Sequence, residues 1–506
     1  MRRRAFLAGS TAAAALATGV RADMPRWLSS EPFGPDTVRE MARDLATRDY
    51  EPQPEVPDAW KDLTYDEYRD IRFDIDRAIW ARTDRPFRMD LFHPGLYFPR
   101  GVEIDVVRDA EAHRLAFDFN LFEVGKVAPT DLPQNEFMGY SGLRFRTIFE
   151  GNRHYSECAV FQGASYFRAI GKDNAYGLSA RGLALRTGDP NGEEFPDFTR
   201  FWVEEPAPGD EDITVHALLD SPSVTGAYRF VVTPGETTVM EAEATIFPRV
   251  DLDHVGLAPL TSMFLYDETN RPRFADFRPA IHDSDGLLIW NGAGEMLWRQ
   301  LANPTTLQVS SFVDDSPRGF GLMQRADKLS DFADLEAHYH RRPSLWIEPG
   351  EEWGPGVVRL VEIPSDEEIY DNIVAYWRPR EVMPAGSEHR LTYRMSWGGE
   401  PAERPDVTHV LNTHMGLNFQ RDRQLAAIDY APHPALDDLE NVRAFVAGGR
   451  SPVSPPILQR NPETGGARLA FTFDPEDRDA VELRAQLLDG VGTPISEVWL
   501  YRWTRE

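Results

Sequence analysis

Apolar and polar residues alternate along most of this chain, in runs of about ten residues separated by Gly, Pro and Asp. The runs YRFVVTPGETTVMEAEATIF and HRLTYRMSWG are examples. In the second run Leu391, Tyr393, Met395 and Trp397 fall on one face of a strand, because side chains alternate between faces. Strands without helical crossovers indicate antiparallel sheets packed face to face. We therefore predict an all-β protein with a large antiparallel β-sandwich.

Helical spacing is confined to a short region near the start of the chain. Apolar residues from Val38 to Leu45 recur at helical intervals, and Asp36 before them is a residue type that caps helix N-termini. A second short helix is predicted from Tyr65 to Ile71.

The stretch GGEPAERPD, residues 398–406, is the best candidate for a linker, since its glycines, prolines and charges add nothing to a core. Residues 407–506 contain short alternating strands at the density of an immunoglobulin-like β-sandwich, although the paired cysteines are absent. The predicted organisation is therefore a large β-sandwich over residues 23–397, a linker over residues 398–406, and a smaller sandwich over residues 407–506.

Residues 1–22, MRRRAFLAGSTAAAALATGVRA, have the composition of a signal peptide. Arg3 and Arg4 followed by Ala5-Phe6-Leu7 match the twin-arginine export pattern. The apolar stretch is short and rich in alanine, so no membrane insertion is predicted. The expected location is the periplasm.

The chain carries 54 Lys and Arg against 82 Asp and Glu, a formal net charge of -28. Such a charge repels nucleic acid and anionic membrane surfaces and favours a neutral partner. Cys158 is the only cysteine, which excludes an internal disulfide and a thiolate metal cluster. The sequence leaves the oligomeric state open, a homodimer included.

Metal, nucleophile and cofactor motifs are poorly supported. His338 and His340 form an HxH pair in a helical or turn segment without a third ligand, and IHDSDG at 281–286 lacks the later acids of a calcium loop. No GxSxG elbow and no phosphate-binding glycine loop occurs. We predict neither a metal nor a cofactor.

The stretch DEEIYDNIVAYW, residues 366–377, crowds four carboxylates before an apolar strand. The simpler interpretation is a solvated turn that leads into a strand. The alternative is a glycosidase acid, because desolvation and neighbouring like charges raise the pKa of a carboxyl group. Glycosidic bonds are cleaved by paired carboxyl groups without a cofactor, and aromatic rings bind the apolar faces of sugars.

Several long segments resemble a known family. FQGASYFRAIGKDNAYGLSARGLAL, ALLDSPSVTGAYRF, LAPLTSMFLY, IHDSDGL, YHRRPSLWIEP, WGPGVVRLVEIPSDEE and DNIVAYW, in this order, are similar to the periplasmic glucan biosynthesis proteins, the OpgG/OpgD family (MdoG/MdoD). The resemblance covers almost the whole chain after the signal, and the twin-arginine motif is more like the OpgD branch. It implies that the large β-sandwich is a glucan-binding and catalytic domain, followed by an immunoglobulin-like one. It also implies a β-glucan partner, the β-1,2-linked backbone of osmoregulated periplasmic glucans, and anomer-inverting hydrolysis or transglycosylation.

The resemblance also implies roles for individual residues. Asp371 corresponds to the general acid, and Asp283 to a general base that reaches its water through a relay of hydroxyls and waters. The predicted substrate-binding residues, the first two of them implied by the resemblance, are Glu368, Tyr339, Asp285 and Arg341.

Each assignment has an alternative. Asp283 and Asp285 could close a tight turn, Tyr339 could pack against a helix end, and the adjacent arginines could hold a carboxylate. Ile369 and Tyr370 stand where small polar residues, Thr and Asn, are expected in hydrolytic relatives, which leaves hydrolysis or transglycosylation open. A non-catalytic glucan-binding scaffold is the main functional alternative, and an adhesion sandwich is a third.

Overall fold

Residues 25–505 are described by a computed structural model, and β-strands are its main elements. The predicted signal peptide, residues 1–22, lies outside the described residues. The prediction of an all-β protein with large antiparallel sheets is confirmed.

The strands up to Ser262 are β1 (Trp27–Pro32), β2 (Ile71–Phe73), β3 (Phe87–Phe92), β4 (Glu103–Arg108), β5 (Glu111–Leu115), β6 (Phe122–Val124), β7 (Gly142–Thr147), β8 (Ser156–Gln162), β9 (Tyr166–Ala169), β10 (Ser179–Arg181), β11 (Ala184–Leu185), β12 (Asp197–Glu204), β13 (Ile213–Asp220), β14 (Val224–Thr233), β15 (Thr238–Pro248) and β16 (Val255–Ser262).

The remaining strands are β17 (Phe264–Tyr266), β18 (Ile281–His282), β19 (Gly286–Trp290), β20 (Met296–Gln300), β21 (Gln308–Asp314), β22 (Gly319–Met323), β23 (Ser344–Pro349), β24 (Gly356–Glu362), β25 (Ile373–Pro379), β26 (His389–Gly398), β27 (Val410–Leu417), β28 (Gln424–Tyr430), β29 (Arg443–Ala447), β30 (Ile457–Arg460), β31 (Ala467–Phe473), β32 (Ala480–Leu488) and β33 (Val498–Thr504).

The helices are short. The α-helices are α1 (Thr37–Ala46), α2 (Asp58–Lys61), α3 (Tyr65–Arg69) and α4 (Leu329–Phe332), and the 3-10 helices are Ile75–Arg77, Phe119–Leu121, Arg271–Arg273, Tyr339–Arg341, Pro434–Leu436 and Leu439–Asn441.

Both predicted helices are confirmed, with two corrections. Helix α1 covers the periodic stretch, but Asp36 makes no side-chain capping hydrogen bond and instead pairs with Arg39 at 2.7 Å. Helix α3 begins at Tyr65 as expected and ends at Arg69, because Ile71 already belongs to strand β2.

Two large sheets enclose the main core. A 15-stranded sheet runs β1-β5-β4-β12-β13-β14-β15-β26-β23-β22-β19-β20-β33-β32-β29, and a 10-stranded sheet runs β21-β24-β25-β16-β10-β9-β8-β7-β3 with β11 paired to β16. The pairs are antiparallel except for β4 with β12 and β20 with β33. The predicted one-sided strand from Leu391 to Trp397 is the middle of β26, and its four apolar side chains are buried.

The C-terminal strands are joined to the long sheet. Strand β33 pairs in parallel with β20, and β32 and β29 follow it at the sheet edge. The sheet β27-β28-β31-β30 completes a second core that also contains Leu288, Met296, Trp298, Met323 and Trp346, which all precede residue 397. The division at residues 398–406 stays a prediction.

Cys158 lies in β8 inside the main core, with no exposed surface. Its thiol is 3.4 Å from the carbonyl oxygen of Phe145, and burial raises its pKa. The thiol is therefore an inert part of the core.

Candidate active site

The acidic stretch forms the loop between β24 and β25, and buried asparagines fix both of its ends. The Asn372 amide donates to the carbonyl oxygens of Phe264 (2.9 Å) and Ile363 (3.1 Å), and its Oδ1 accepts from the N–H of Phe264 at 2.8 Å. At the other end the N–H of Ser365 donates to Asn303 Oδ1 at 3.0 Å. The loop is therefore held against β17 although most of its own side chains face outward.

The side chains between these anchors are exposed, except for that of Glu368, which is half-buried. Ile369 and Tyr370 are 73% and 59% accessible, and Asp371 is also exposed. The expectation that an acid of this loop is desolvated by the core is therefore wrong for Asp371. The reason is local: the buried position is taken by its neighbour Asn372, whose amide is needed to anchor the chain.

The buried acid of the site is Asp283, in the turn between β18 and β19. Its N–H donates to the carbonyl oxygen of Met263 at 2.8 Å, and its carboxylate contacts the guanidinium of Arg342. Burial raises the pKa of Asp283 to about 6; Arg342 opposes this increase and the charge of Asp371 adds to it. Asp283 and Asp371 are thus close enough to interact electrostatically.

Tyr339 connects the two sides of the site. Its hydroxyl donates to Glu368 Oε2 at 3.3 Å, and the guanidinium of Arg342 stacks over its ring at 4.1 Å from the centroid. Glu368 also pairs with Arg278 at 2.9 Å. Burial raises the pKa of Tyr339, so its hydroxyl stays protonated and acts as a donor. The structure therefore brings Asp283, Tyr339 and Glu368 into one network through Arg342.

Asp285 and Arg341 lie outside this network. Asp285 is buried and lines a different cavity, of about 970 Å³, at the junction with the C-terminal strands. The guanidinium of Arg341 donates to the carbonyl oxygen of Asp173 at 3.0 Å. The arginine at Asp283 is Arg342, which the sequence prediction did not select; adjacent arginines give no sequence signal for which of them faces the site.

A cavity of about 840 Å³ opens beside Asp371. Its polar wall includes Arg144 and Arg168, and its aromatic residues are Phe92, Tyr97, Phe98, Tyr166, Phe167, Tyr176 and Phe198. Tyr97 is 73% exposed, so its ring is available to a ligand. Aromatic rings and polar groups around an open cavity are suited to sugar binding.

Residues 25–505 contain neither a metal-binding cluster nor a membrane-spanning helix. No set of three or more His, Cys, Asp and Glu side chains there is arranged to hold a metal ion, and His338 and His340 flank the start of a 3-10 helix. No helix in that range is long and apolar enough to cross a membrane.

Comparison with known proteins decides the family. The family model described as periplasmic glucan biosynthesis protein, MdoG, matches residues 33–503. The chain belongs to the MdoG family. Glucans biosynthesis protein G of Vibrio cholerae serotype O1 is 49% identical over 483 residues, which cover 95% of this chain and 88% of that protein. Glucans biosynthesis protein G of Shewanella sp. strain ANA-3 is 50% identical over 484 residues, with the same two coverages.

A heparan sulfate lyase HepC mutant from Pedobacter heparinus aligns with 61% of this chain and 42% of its own, at 8% identity and a TM-score of 0.26. A similarity this weak carries no argument about fold or function.

Proposed function

We propose that this MdoG-family protein is an enzyme that cleaves or transfers the β-1,2-linked glucan backbone with inversion at the anomeric carbon. Asp371 protonates the glycosidic oxygen as the bond from the anomeric carbon to that oxygen breaks. Water, or a sugar hydroxyl in transglycosylation, attacks from the opposite face, and its proton passes through a relay to Asp283.

The single observation that carries this proposal is the pairing of unlike carboxyl groups. Asp283 is buried with a pKa of about 6, whereas Asp371 is exposed beside the aromatic cavity. A carboxyl group with a pKa near 6 is mostly ionised at neutral pH, as a general base must be. Two carboxyl groups in such different surroundings support two distinct roles. The family resemblance is what assigns the acid role to Asp371, which lines the cavity.

The test is turnover of linear β-1,2-glucan by the purified protein, with product length and anomeric configuration followed over time. We expect inverted products from the wild type, and a loss of turnover of about 10²–10⁴-fold in Asp371→Asn and in Asp283→Asn. Asp366→Asn, an exposed acid of the same loop, is the matched control and should keep its turnover. Undiminished turnover in both test variants would rule out these roles.

A second candidate is a non-catalytic glucan-binding scaffold. The exposure of Asp371 favours it, because a solvated carboxylate can simply accept hydrogen bonds from sugar hydroxyls. In that case the wild type produces no new chain ends, and Asp371→Asn weakens glucan binding about as much as the loss of any other contact.

We also propose a periplasmic location, reached through the twin-arginine signal in residues 1–22, and membership of the OpgD branch. The sequence of the leader and the family description support the location. The two G-named relatives do not support the branch. Replacing Arg3 and Arg4 with Lys and following the cell fraction that contains the protein tests the export route.

A further inference from the structure

Arg325 follows β22 and contacts the C-terminal strands, and its side chain is only 5% exposed. Its Nη2 and Nη1 bind Glu497 Oε1 and Oε2 at 2.7 and 2.8 Å, and its Nε binds Glu400 at 2.7 Å. Nη1 also donates to the carbonyl oxygen of Val410 at 2.8 Å. The guanidinium lies 3.8 Å from the ring centroid of Trp298, so every side of this group is in contact.

The main partner of Arg325 is itself fixed within the C-terminal strands. Glu497, which directly precedes β33, is 1% exposed. Its Oε2 accepts from the N–H of Val410 at 2.9 Å, and its own N–H donates to the carbonyl oxygen of Thr408 at 2.9 Å. The guanidinium of Arg325 therefore docks onto a rigid acceptor.

The backbone of Arg325 faces the other way, toward the turn that carries Asp283. The N–H groups of Arg325 and Ala326 donate to Asp285 Oδ2 at 3.1 and 3.2 Å. The N–H of Asp285 donates to the carbonyl oxygen of Met323 at 2.8 Å. Asp285 is two residues after Asp283 in the IHDSDG turn, so one run of contacts leads from Glu497 to Asp283.

We propose that Arg325 is a positioning residue through which the C-terminal strands hold the Asp283 turn in its reactive place. The inference rests on the proposed function for the role of Asp283. In this proposal Asp285 has a structural role: it accepts hydrogen bonds from the Arg325 segment and does not contact the substrate. The C-terminal strands thereby contribute to the site without touching the substrate.

Substitution by lysine tests this connection. Lysine keeps the positive charge but cannot form the two-pronged contact that a planar guanidinium makes with a carboxylate. A displacement of about 1 Å in a reacting group can reduce turnover about 10²-fold. Arg325→Lys should therefore shift the Asp283 turn while the fold survives.

Arg200 provides a matched control. Its Nε and Nη2 bind both oxygens of Asp105 at 2.8 and 2.9 Å, and its guanidinium lies 4.5 Å from the ring of Trp202. Its side chain is 9% exposed, against 5% for Arg325, but it belongs to the pair of β12 with β4 and has no contact with the IHDSDG turn. Arg200→Lys therefore shows how far the same substitution changes turnover and hydrogen exchange when the arginine is not connected to the IHDSDG turn.

We expect kcat on linear β-1,2-glucan to fall about tenfold or more in Arg325→Lys, with KM changed less than about threefold. In Arg200→Lys, kcat and KM should both stay within about twofold of the wild-type values. Hydrogen exchange, read by mass spectrometry on peptides covering residues 281–286, should accelerate in Arg325→Lys and not in Arg200→Lys. If Arg325→Lys does not fold, Glu497→Gln and its control Asp105→Asn replace the pair.

The exchange measurement needs no catalysis, so it separates two kinds of failure. A wild type without glucan turnover contradicts the proposed function. The exchange rates at residues 281–286 then test, without any activity measurement, whether Arg325 holds the IHDSDG turn. Equal exchange at that turn in the Arg325 and Arg200 variants would overturn the coupling even in an active enzyme.

Discussion

At the residue scale, the two aspartates of the IHDSDG turn both lie in the core, but their partners differ. Asp283 faces the guanidinium of Arg342, whereas Asp285 accepts two backbone N–H groups through Oδ2 and its Oδ1 has no protein partner among the described residues. Burial raises the pKa of Asp285 to about 7, with Arg325 opposing the increase. A charge on Asp285 is therefore costly to the fold.

This predicts a distinct pH dependence for Asp285→Asn. A carboxyl group whose folded pKa lies above its unfolded value of about 3.9 makes the fold less stable as pH rises from about 4 to about 7. The amide does not titrate, so the stability of Asp285→Asn relative to wild type should rise across that window by on the order of 2–4 kcal/mol. Urea unfolding at several pH values measures this.

The neighbouring His282 titrates in the wild type and in Asp285→Asn alike. Its contribution to stability therefore cancels when the two proteins are compared. Burial lowers its pKa to about 4, so its contribution to stability increases with pH between about 4 and 6.5 in wild type and variant alike. Asp276→Asn is the control, because hydrogen bonds from Arg278 lower the pKa of Asp276 to about 2, below the window. If the free energy of unfolding of Asp285→Asn relative to wild type does not change between about pH 4 and about pH 7, the prediction is contradicted.

At the element scale, the loop between β24 and β25 contains Ile369 and Tyr370 at the two positions where Thr and Asn are expected in hydrolytic relatives. Ile369 and Tyr370 are exposed next to Asp371, so changing them costs the fold about 0.5 kcal/mol or less. We predict that the double substitution Ile369→Thr with Tyr370→Asn raises hydrolysis about tenfold relative to transfer, because it supplies polar groups for a proton relay. The ratio of hydrolysis to transfer products measures the effect.

Val491→Thr, a change of the same kind at a 90% exposed position in the turn between β32 and β33, is the control for the loop substitution. If the product ratio is the same in the double variant, the control and the wild type, Ile369 and Tyr370 do not decide the reaction outcome.

Elements with a strong alternating pattern were predictable from the sequence. Strand β26 lies where its alternating apolar residues indicated, and strand β25 lies where a continuous apolar run indicated, because both patterns are local properties. The parallel pair of β20 with β33 was not predictable, since it joins segments about 200 residues apart that carry no mutual signal. For the same reason the sequence could not show that Arg342 contacts Asp283, or that Asn372 takes the buried position beside Asp371.

At the scale of the whole molecule, the second core has contributions from both sides of residues 398–406. Five apolar side chains that precede this stretch, of which Trp298 and Trp346 are the largest, are covered by the C-terminal strands. Exposing a large apolar side chain costs about 1.5–3 kcal/mol. We therefore predict that a chain ending at residue 406 loses cooperative unfolding and binds hydrophobic dyes, as near-ultraviolet circular dichroism and dye fluorescence would show.

The control is a chain that lacks residues 1–32, and with them β1, an edge strand without a fully buried residue. It should unfold cooperatively, close to the full chain. If the chain ending at residue 406 also unfolds in one sharp transition, the two parts are independent folding units.

The enclosure of Cys158 in the main core has a practical consequence for observing the loop beside the cavity. The chain has no second sulfhydryl, and this one has no surface that a maleimide reagent could reach. A cysteine introduced in place of the exposed Tyr370 would therefore be the sole site of labelling in the folded protein. A fluorophore attached there would report the arrival of a glucan chain without background.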